Sequence, residues 1–192
     1  MSEKARLGLA LCGSYCTYEM LFAAAEKLKD SYELIPIMSE TAAETDSRFG
    51  TACENIRKLM QLTGRNVITT IAEAEPLGPA LPLEALLIAP CTGNTLAKLA
   101  NGITDSAVTM AAKAHLRNGR PLVIALSTND GLSGSAENIA KLLNRKNVYF
   151  VPFGQDEPAK KPRSLQADFG LLEETVKAAV KGWQIQPILR KS

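Results

Sequence analysis

Apolar residues along this chain recur in two rhythms, and the rhythms alternate from one end to the other. Nearly continuous apolar runs occupy 6–12 (RLGLALC), 32–38 (YELIPIM), 66–71 (NVITTI), 85–90 (ALLIAP), 120–127 (RPLVIALS) and 147–153 (NVYFVPF). Each has the length of a β-strand. Between them, apolar residues fall at helical spacing. In 17–30 the residues Met20, Leu21, Ala24 and Leu28 share a face, and in 48–64 Cys53, Ile56, Leu59 and Met60 turn inward ahead of a Gly64 cap. Further helices are predicted over 94–100, 106–118, 135–145 and 168–183. Pro36 inside the second run predicts an edge strand or a local irregularity, because proline cannot donate to a ladder. The proline-rich stretch 72–84 reads as an irregular loop, and no repeat or flexible linker interrupts the pattern.

Strands alternating with helices, the later strands fully apolar, predict an α/β fold. The expectation is a single doubly wound, Rossmann-like domain over residues 1–192, with a parallel sheet of about six strands and helices on both faces. The runs end in Gly13-Ser14, Ser39, Pro90–Thr95 and Ser127–Asn129. This topology puts all four ends along one edge, and ligands of such sheets sit outside the carboxyl ends of the strands. Small, polar strand ends converging there point to a phosphate-bearing ligand.

Composition narrows the classes. A chain of 192 residues with 46% hydrophobic and 22% charged residues can bury an ordinary globular core. A net charge of +2 makes no electrostatic case for nucleic acid or a membrane surface. No apolar stretch approaches the roughly 20 residues of a membrane span. The start, MSEKARLGLALCGS, lacks a secretory pattern, because its apolar run is short and ends at a glycine turn. Cys12, Cys16, Cys53 and Cys91 have no zinc-type spacing, so free thiols, a cytoplasmic location and no metal site are expected. His115 is the one histidine, so a histidine-built metal site or a Ser-His-Asp triad would rest on it alone. Near the end of a predicted helix, a structural or surface role suits it.

The strand ends carry the candidate chemistry. Gly13-Ser14 lets the backbone approach a ligand at a helix start, although a tight turn needs glycine anyway. Thr92, Gly93, Asn94 and Thr95, following Pro90 and Cys91, offer hydroxyls, an amide and successive N–H groups, or simply a helix cap on Thr92 or Asn94. CGSYC lacks the full G-x-G-x-x-G fingerprint of a dinucleotide site.

The segment IAPCTGNTLAKLANGITDSAVTMAAKA (88–114) resembles the flavoprotein superfamily of flavin-dependent cysteine decarboxylases and flavin prenyltransferases. There a strand ending in A-P, a small polar loop and an ANG-I-x-D pattern form part of the FMN site. More narrowly, TYEMLFAAAEKL, ETDSRFG, AEAEPLGP, STNDGL and VPFGQDEPAKKPRSL together resemble the dipicolinate synthase B-subunit family from end to end. The resemblance implies an oxidoreductase subunit with little activity alone. It would work with the nicotinamide-binding A subunit of dipicolinate synthase, using NADP, to oxidise a dihydrodipicolinate-level precursor to pyridine-2,6-dicarboxylate during sporulation. It implies FMN, or a phosphate group in the same site, held by Gly13, Ser14, Ser39, Pro90, Cys91, Thr92, Gly93, Asn94, Thr95, Ser127 and Thr128. It also implies a homo-oligomer, trimeric or dodecameric.

The chain departs from the decarboxylase pattern. Asn129 stands where those enzymes place an asparagine on a substrate carboxylate, but Ser127 and Thr128 precede it and DGLSG follows in place of Met-Trp. Nor does a histidine precede the A-P strand, which argues against decarboxylation of a peptidyl cysteine. Asn129 remains the candidate catalytic residue, through a hydrogen bond to a carboxylate. Lys160, Lys161 and Arg163, around Pro162, form a basic cluster suited to a dicarboxylate, with Arg48 a second candidate; a solvated loop is the alternative. The competing functions are a stand-alone FMN-dependent prenyltransferase or decarboxylase, and a non-catalytic scaffold that supports the nicotinamide-binding partner.

Overall fold

A computed structural model describes residues 4–78 and 80–190. Its sheet has seven strands. β1 (Ala5–Leu11), β2 (Tyr32–Met38), β3 (Ala85–Cys91) and β4 (Leu122–Thr128) run parallel in the order β2-β1-β3-β4. On the outer side of β4, β5 (Val148–Phe150) pairs in parallel with its first half. A short antiparallel pair, β6 (Phe153–Gly154) and β7 (Leu165–Ala167), takes over at Ser127 and Thr128. The helices are α1 (Tyr18–Ser31), α2 (Glu40–Glu44), α3 (Ala52–Thr63), α4 (Ile71–Ala74), α5 (Gly93–Asn101), α6 (Ala107–Arg117), α7 (Ala136–Leu143) and α8 (Leu172–Val180). α1 and α8 pack on one face with α3 beside α1 and β2, and α5, α6 and α7 pack on the other, with α4 against α6.

This is the expected doubly wound α/β architecture. Every residue of β3 is buried, as are all but the last of β4, so side chains pack on both faces and the apolar runs are continuous rather than alternating. β2 is the edge strand that Pro36 predicts. The Pro36 carbonyl faces outward and accepts from Ile68 N, while Met38 N donates to Ile68 O, both at 2.9 Å. The missing N–H of Pro36 therefore faces the open side of the ladder, where it costs no strand pairing.

Several elements differ from expectation. Residues 66–71 form no strand; one bridge at Ile68 covers the edge of β2, and the chain turns into α4 at Ile71. The helix predicted over 48–64 begins only at Ala52, because Ser47 and Gly50 close a turn on each other, with Gly50 at φ 130°. The run 147–153 breaks at Val151-Pro152 into β5 and β6, since proline interrupts the ladder. α2 and β7 are short elements whose pattern is too brief to register as periodicity.

The strand order reverses between β1 and β3. From β1 the chain goes outward to β2, then returns to β3 on the opposite side. The connections after β1 and β3 therefore diverge over opposite faces, opening a crevice above the two strand ends.

His115 has no part in that crevice. It is fully buried in α6, and its Nε2 lies 2.9 Å from the Pro121 carbonyl at the start of β4. Nε2 therefore carries the proton, and Nδ1 is buried without a partner. Burial pushes its pKa down to about 4 from 6.5, so it is a neutral tie rather than a helix-end cation. The sign of the consequence follows. Below its ordinary pKa the unfolded chain takes up a proton that the folded chain refuses, so stability is constant above about pH 6.5 and falls toward about pH 4. Between about pH 7.5 and about pH 5 the loss is expected to be about 2 kcal/mol. Urea unfolding at the two pH values measures it, and His115→Gln, which keeps a donor for Pro121, is expected to abolish most of the difference.

Candidate functional site

Each loop above the crevice is shaped by capping. After β1 the chain turns at Gly13 and Ser14 into a short 3-10 turn that leads to α1. After β2, Ser39 caps α2, its hydroxyl accepting from Ala42 N at 3.3 Å. After β3, Thr92 caps α5 by accepting from Thr95 N at 3.2 Å. The Thr95 hydroxyl is buried and donates to Cys12 Sγ at 3.3 Å, which ties the α5 start to the end of β1. The cap consumes the Thr95 amide, and helix geometry leaves the Gly93 and Asn94 amides directed beyond the helix start. Asn94 is not a cap; it is exposed.

Two cavities meet over the crevice and share Gly13 and Thr92. The larger, about 500 Å³, is lined by Ser14, Cys16, Gly93, Ser127, Thr128 and Asn129, and on its far wall by Asp156, Glu157, Lys161, Ser164 and Gln166. The smaller, about 290 Å³, is lined by Ser39, Glu40, Thr41, Asn94, Thr95, Lys98, Asp105 and Ser106. Ser14 and Ser127 share a hydrogen bond at 2.8 Å, joining the ends of β1 and β4 across β3. Each cavity holds one lysine, already paired with a carboxylate: Lys98 with Asp105 at 2.9 Å, and Lys161 with Asp156 at 3.1 Å. The hydrogen bond that Lys161 donates to Asp156, backed by the charges of Asp156 and Glu157, holds the ammonium above its usual pKa.

The turn after β4 holds a group that the sequence did not single out. Asp130 accepts from the hydroxyls of Thr128 and Ser135, the latter at 2.8 Å. These bonds, Thr128 foremost, hold its carboxyl below the usual range despite some burial. The cluster packs on Gly93. A Cβ there would lie 2.7 Å from both Ser135 Oγ and Thr128 Oγ1 and 3.0 Å from Asp130 Oδ1. A fixed carboxylate thus stands beside the first residue of α5, where the helix dipole favours it.

The structure sorts the sequence candidates. Gly13, Ser14, Ser39, Thr92, Gly93, Asn94, Thr95, Ser127, Thr128 and Asn129 come together at the two cavities. Pro90 and Cys91 lie inside β3, buried beneath the site. Lys161 reaches the larger cavity, whereas Lys160 and Arg163 are exposed and line neither cavity. Arg48 sits on the 47–50 turn, its guanidinium 4.8 Å above the Phe49 ring, also outside both. Sequence reasoning missed Cys16, Thr41, Lys98, Asp105, Asp130, Asp156, Glu157, Ser164 and Gln166. For Asp130 a signal existed, because T-x-D before glycines is a turn in which carboxylate and hydroxyl bond locally. For the others only the fold brings them in.

The thiols divide by burial. Burial pushes Cys12 up to about 11 and, with Cys12 itself adding, raises Cys91 well above the usual thiol range, so neither is a thiolate near neutrality. Cys16 is exposed in the larger cavity. Among the described residues no group of His, Cys, Asp and Glu could hold a metal ion, and no helix is long and apolar enough to cross a membrane. The site offers hydroxyls, amides and two paired lysines. That set can hold and orient a polar or anionic ligand beside the Glu40, Asp105, Asp156 and Glu157 carboxylates, and no histidine lines either cavity.

Comparison with known proteins agrees with this fold. The sequence model of the Flavoprotein family matches residues 1–184. The B subunit of dipicolinate synthase from Bacillus subtilis (strain 168) is 48% identical over 185 residues, which cover 96% of this chain and 92% of that relative. The crystal structure of the dipicolinate synthase B subunit from Bacillus halodurans superposes with a TM-score of 0.89 at 43% identity, covering 100% of both chains. A dodecameric FMN-dependent Ubix-like decarboxylase from Escherichia coli O157:H7 shares the fold, with a TM-score of 0.63 at 24% identity over 77% of this chain and 79% of that one.

The crowding at Gly93 is directly testable. Gly93→Ala is expected to lower stability by about 1–3 kcal/mol in chemical denaturation, the usual cost of overpacking. Adding Ser135→Ala is expected to restore part of the loss by removing one of the two nearest atoms. A neutral Gly93→Ala would show that the α5 start has room to spare.

Proposed function

The chain belongs to the Flavoprotein family, and on that premise we propose that it is the B subunit of a dipicolinate synthase. It works in the cytoplasm of sporulating cells with a nicotinamide-binding A subunit, which supplies NADP. Together they oxidise a dihydrodipicolinate-level precursor to pyridine-2,6-dicarboxylate. One observation carries the reading: the paired cavities at the β1/β3 crevice occur in a chain that is 48% identical, along nearly its whole length, to a dipicolinate synthase B subunit.

The crevice fits flavin mononucleotide by its donor set. The smaller cavity offers a phosphate the Ser39 and Thr41 hydroxyls, Asn94 and Lys98, donors that must outweigh the Glu40 and Asp105 carboxylates on the same lining. The larger, with Ser14, Ser127, Thr128, Asn129 and Gln166, has room and polar anchors for a ring system and a substrate carboxylate. FMN, when bound, supplies electron- or hydride-transfer chemistry. Gly13 lets the backbone come close, Gly93 admits the Asp130 cluster against the α5 start that Thr92 and Thr95 fix, and Pro90 and Cys91 shape the floor. Asn129 would orient a carboxylate by hydrogen bonding. Lys161 would bind one, while Lys160, Arg163 and Arg48, exposed and lining neither cavity, are available to a second molecule. A homo-oligomer, trimeric or dodecameric, agrees with the dodecameric relative of like fold.

A second reading has its own observation. Both cavity lysines are already paired and the site has no histidine, which favours a supporting role that lends shape rather than chemistry to the nicotinamide-binding partner.

Absorption titration of the purified chain with FMN tests the first reading. Binding with shifted flavin bands is expected, and Asn94→Ala, which removes an exposed amide without touching a cap, is expected to weaken it by on the order of tenfold. Protein that takes up no FMN favours the supporting role. Dipicolinate formation is expected to be negligible with the chain alone and to appear on adding the A subunit; robust turnover by the isolated chain would overturn the division of labour.

A further inference from the structure

Among the described residues lining the larger cavity, Lys161 is the only cation, and two carboxylates, Asp156 and Glu157, line the same wall. One positive and two negative charges leave that wall with a net charge of −1, the wrong sign for an anion. The Lys161 ammonium faces a carboxylate all the same, because Asp156 Oδ2 lies 3.1 Å from Nζ.

The loop that carries the pair is held by its own backbone. Lys160 N and Lys161 N donate to the Glu157 carbonyl at 3.0 and 2.7 Å, and Ser164 N donates to the Lys161 carbonyl at 3.1 Å. The Gln155 side chain donates to the Pro162 carbonyl at 2.8 Å, and Leu132 N, from the turn after β4, donates to the Arg163 carbonyl at 2.9 Å. β6 and β7 anchor the two ends. With the backbone tied, a change of partner at Lys161 needs only side-chain rotation.

We propose that Asp156 is a stand-in for the ligand: it neutralises Lys161 until an incoming carboxylate takes its place, and it competes for Lys161 again as product leaves. Asp156 therefore sets an affinity threshold at the larger cavity. The exchange is like for like, one carboxylate for another on one ammonium, so Lys161 by itself contributes little net binding. A ligand holds only if it also reaches the neutral donors across the cavity, at Asn129, Ser14, Ser127 or Gln166. A dicarboxylate has a second group with which to do so. The identity of that ligand rests on the dicarboxylate reading above; the competition for Lys161 does not.

Equilibrium binding to the full chain at low ionic strength decides the matter, with pyridine-2,6-dicarboxylate and inorganic phosphate as separate probes. Asp156→Asn is expected to tighten binding of the anion that uses Lys161 by about threefold to tenfold, the effect of removing an exposed ionic competitor and its charge. In a Lys161→Gln background the same change is expected to give no such gain. Thermal unfolding reports whether each variant is folded, and Asp156→Ser serves if Asp156→Asn is not. Tightening for both probes, or for the dicarboxylate alone, supports the exchange. Tightening for phosphate with no dicarboxylate binding supports it while removing the dicarboxylate reading. Dicarboxylate binding that Asp156→Asn leaves unchanged or weakens overturns the exchange and leaves that reading standing. Failure of both anions to bind any folded variant overturns both.

Discussion

The site depends on one topological constraint, the reversal of strand order at β1 and β3. Parallel neighbours must be joined by crossovers, and each crossover commits its helix to one face of the sheet. Here β1 leads into α1 on one face and β3 leads into α5 on the other. The two connections part above adjacent parallel strands, and Gly13 and Thr92 stand on either side of the gap. The end of β1 is tied to its neighbours, with Cys12 N donating to the Pro90 carbonyl at 3.2 Å and Ser39 N to the Leu11 carbonyl at 2.9 Å. A deformable crevice would lose its shape when a ligand arrived. This one is closed from below by backbone bonds and a β3 buried at every residue.

Polar residues above that floor divide into two groups. Ser39 and Thr92 spend their hydroxyls on helix caps, Thr95 donates to Cys12, and Thr128 and Ser135 donate to Asp130, which together tie down the starts of α2 and α5. Asn94, Asn129 and Gln166 present amides to the cavities and take no part in those caps. The first group makes the second precise, because a helix start held by its own cap cannot drift under a ligand. Gly93 is where the two groups meet: any side chain larger than hydrogen would separate Asp130 and its hydroxyl partners from the α5 start.

Electrostatics sets the character of the site more than charge count does. A net charge of +2 leaves no long-range field to gather anions. Recognition is therefore local, and both local cations are already balanced by Asp105 and Asp156. A pocket built on paired charges and neutral donors binds by exchange rather than by simple attraction.

Much of this was legible in the residues. The alternation of apolar runs and helical spacing determined the α/β layering, Pro36 marked the edge strand, and the small polar residues after each run marked the carboxyl-end crevice. Those features are local, carried by unbroken apolar runs of strand length, by a period of 3.6 residues or by a proline's missing N–H. What the tertiary structure alone decided is which distant residues share a cavity. Asp156, Glu157, Ser164 and Gln166 follow Gly13 in the chain by more than a hundred positions, and they face it only because β7 folds back antiparallel onto the end of β4. The fold likewise separates Lys161 from Lys160 and Arg163 in role. Three basic residues in one short stretch look equivalent in sequence, but the self-bonded loop turns only Lys161 into the cavity. His115 shows the converse, because a residue placed by local reasoning at a helix end is made neutral by burial against β4, and burial is a property of the whole fold.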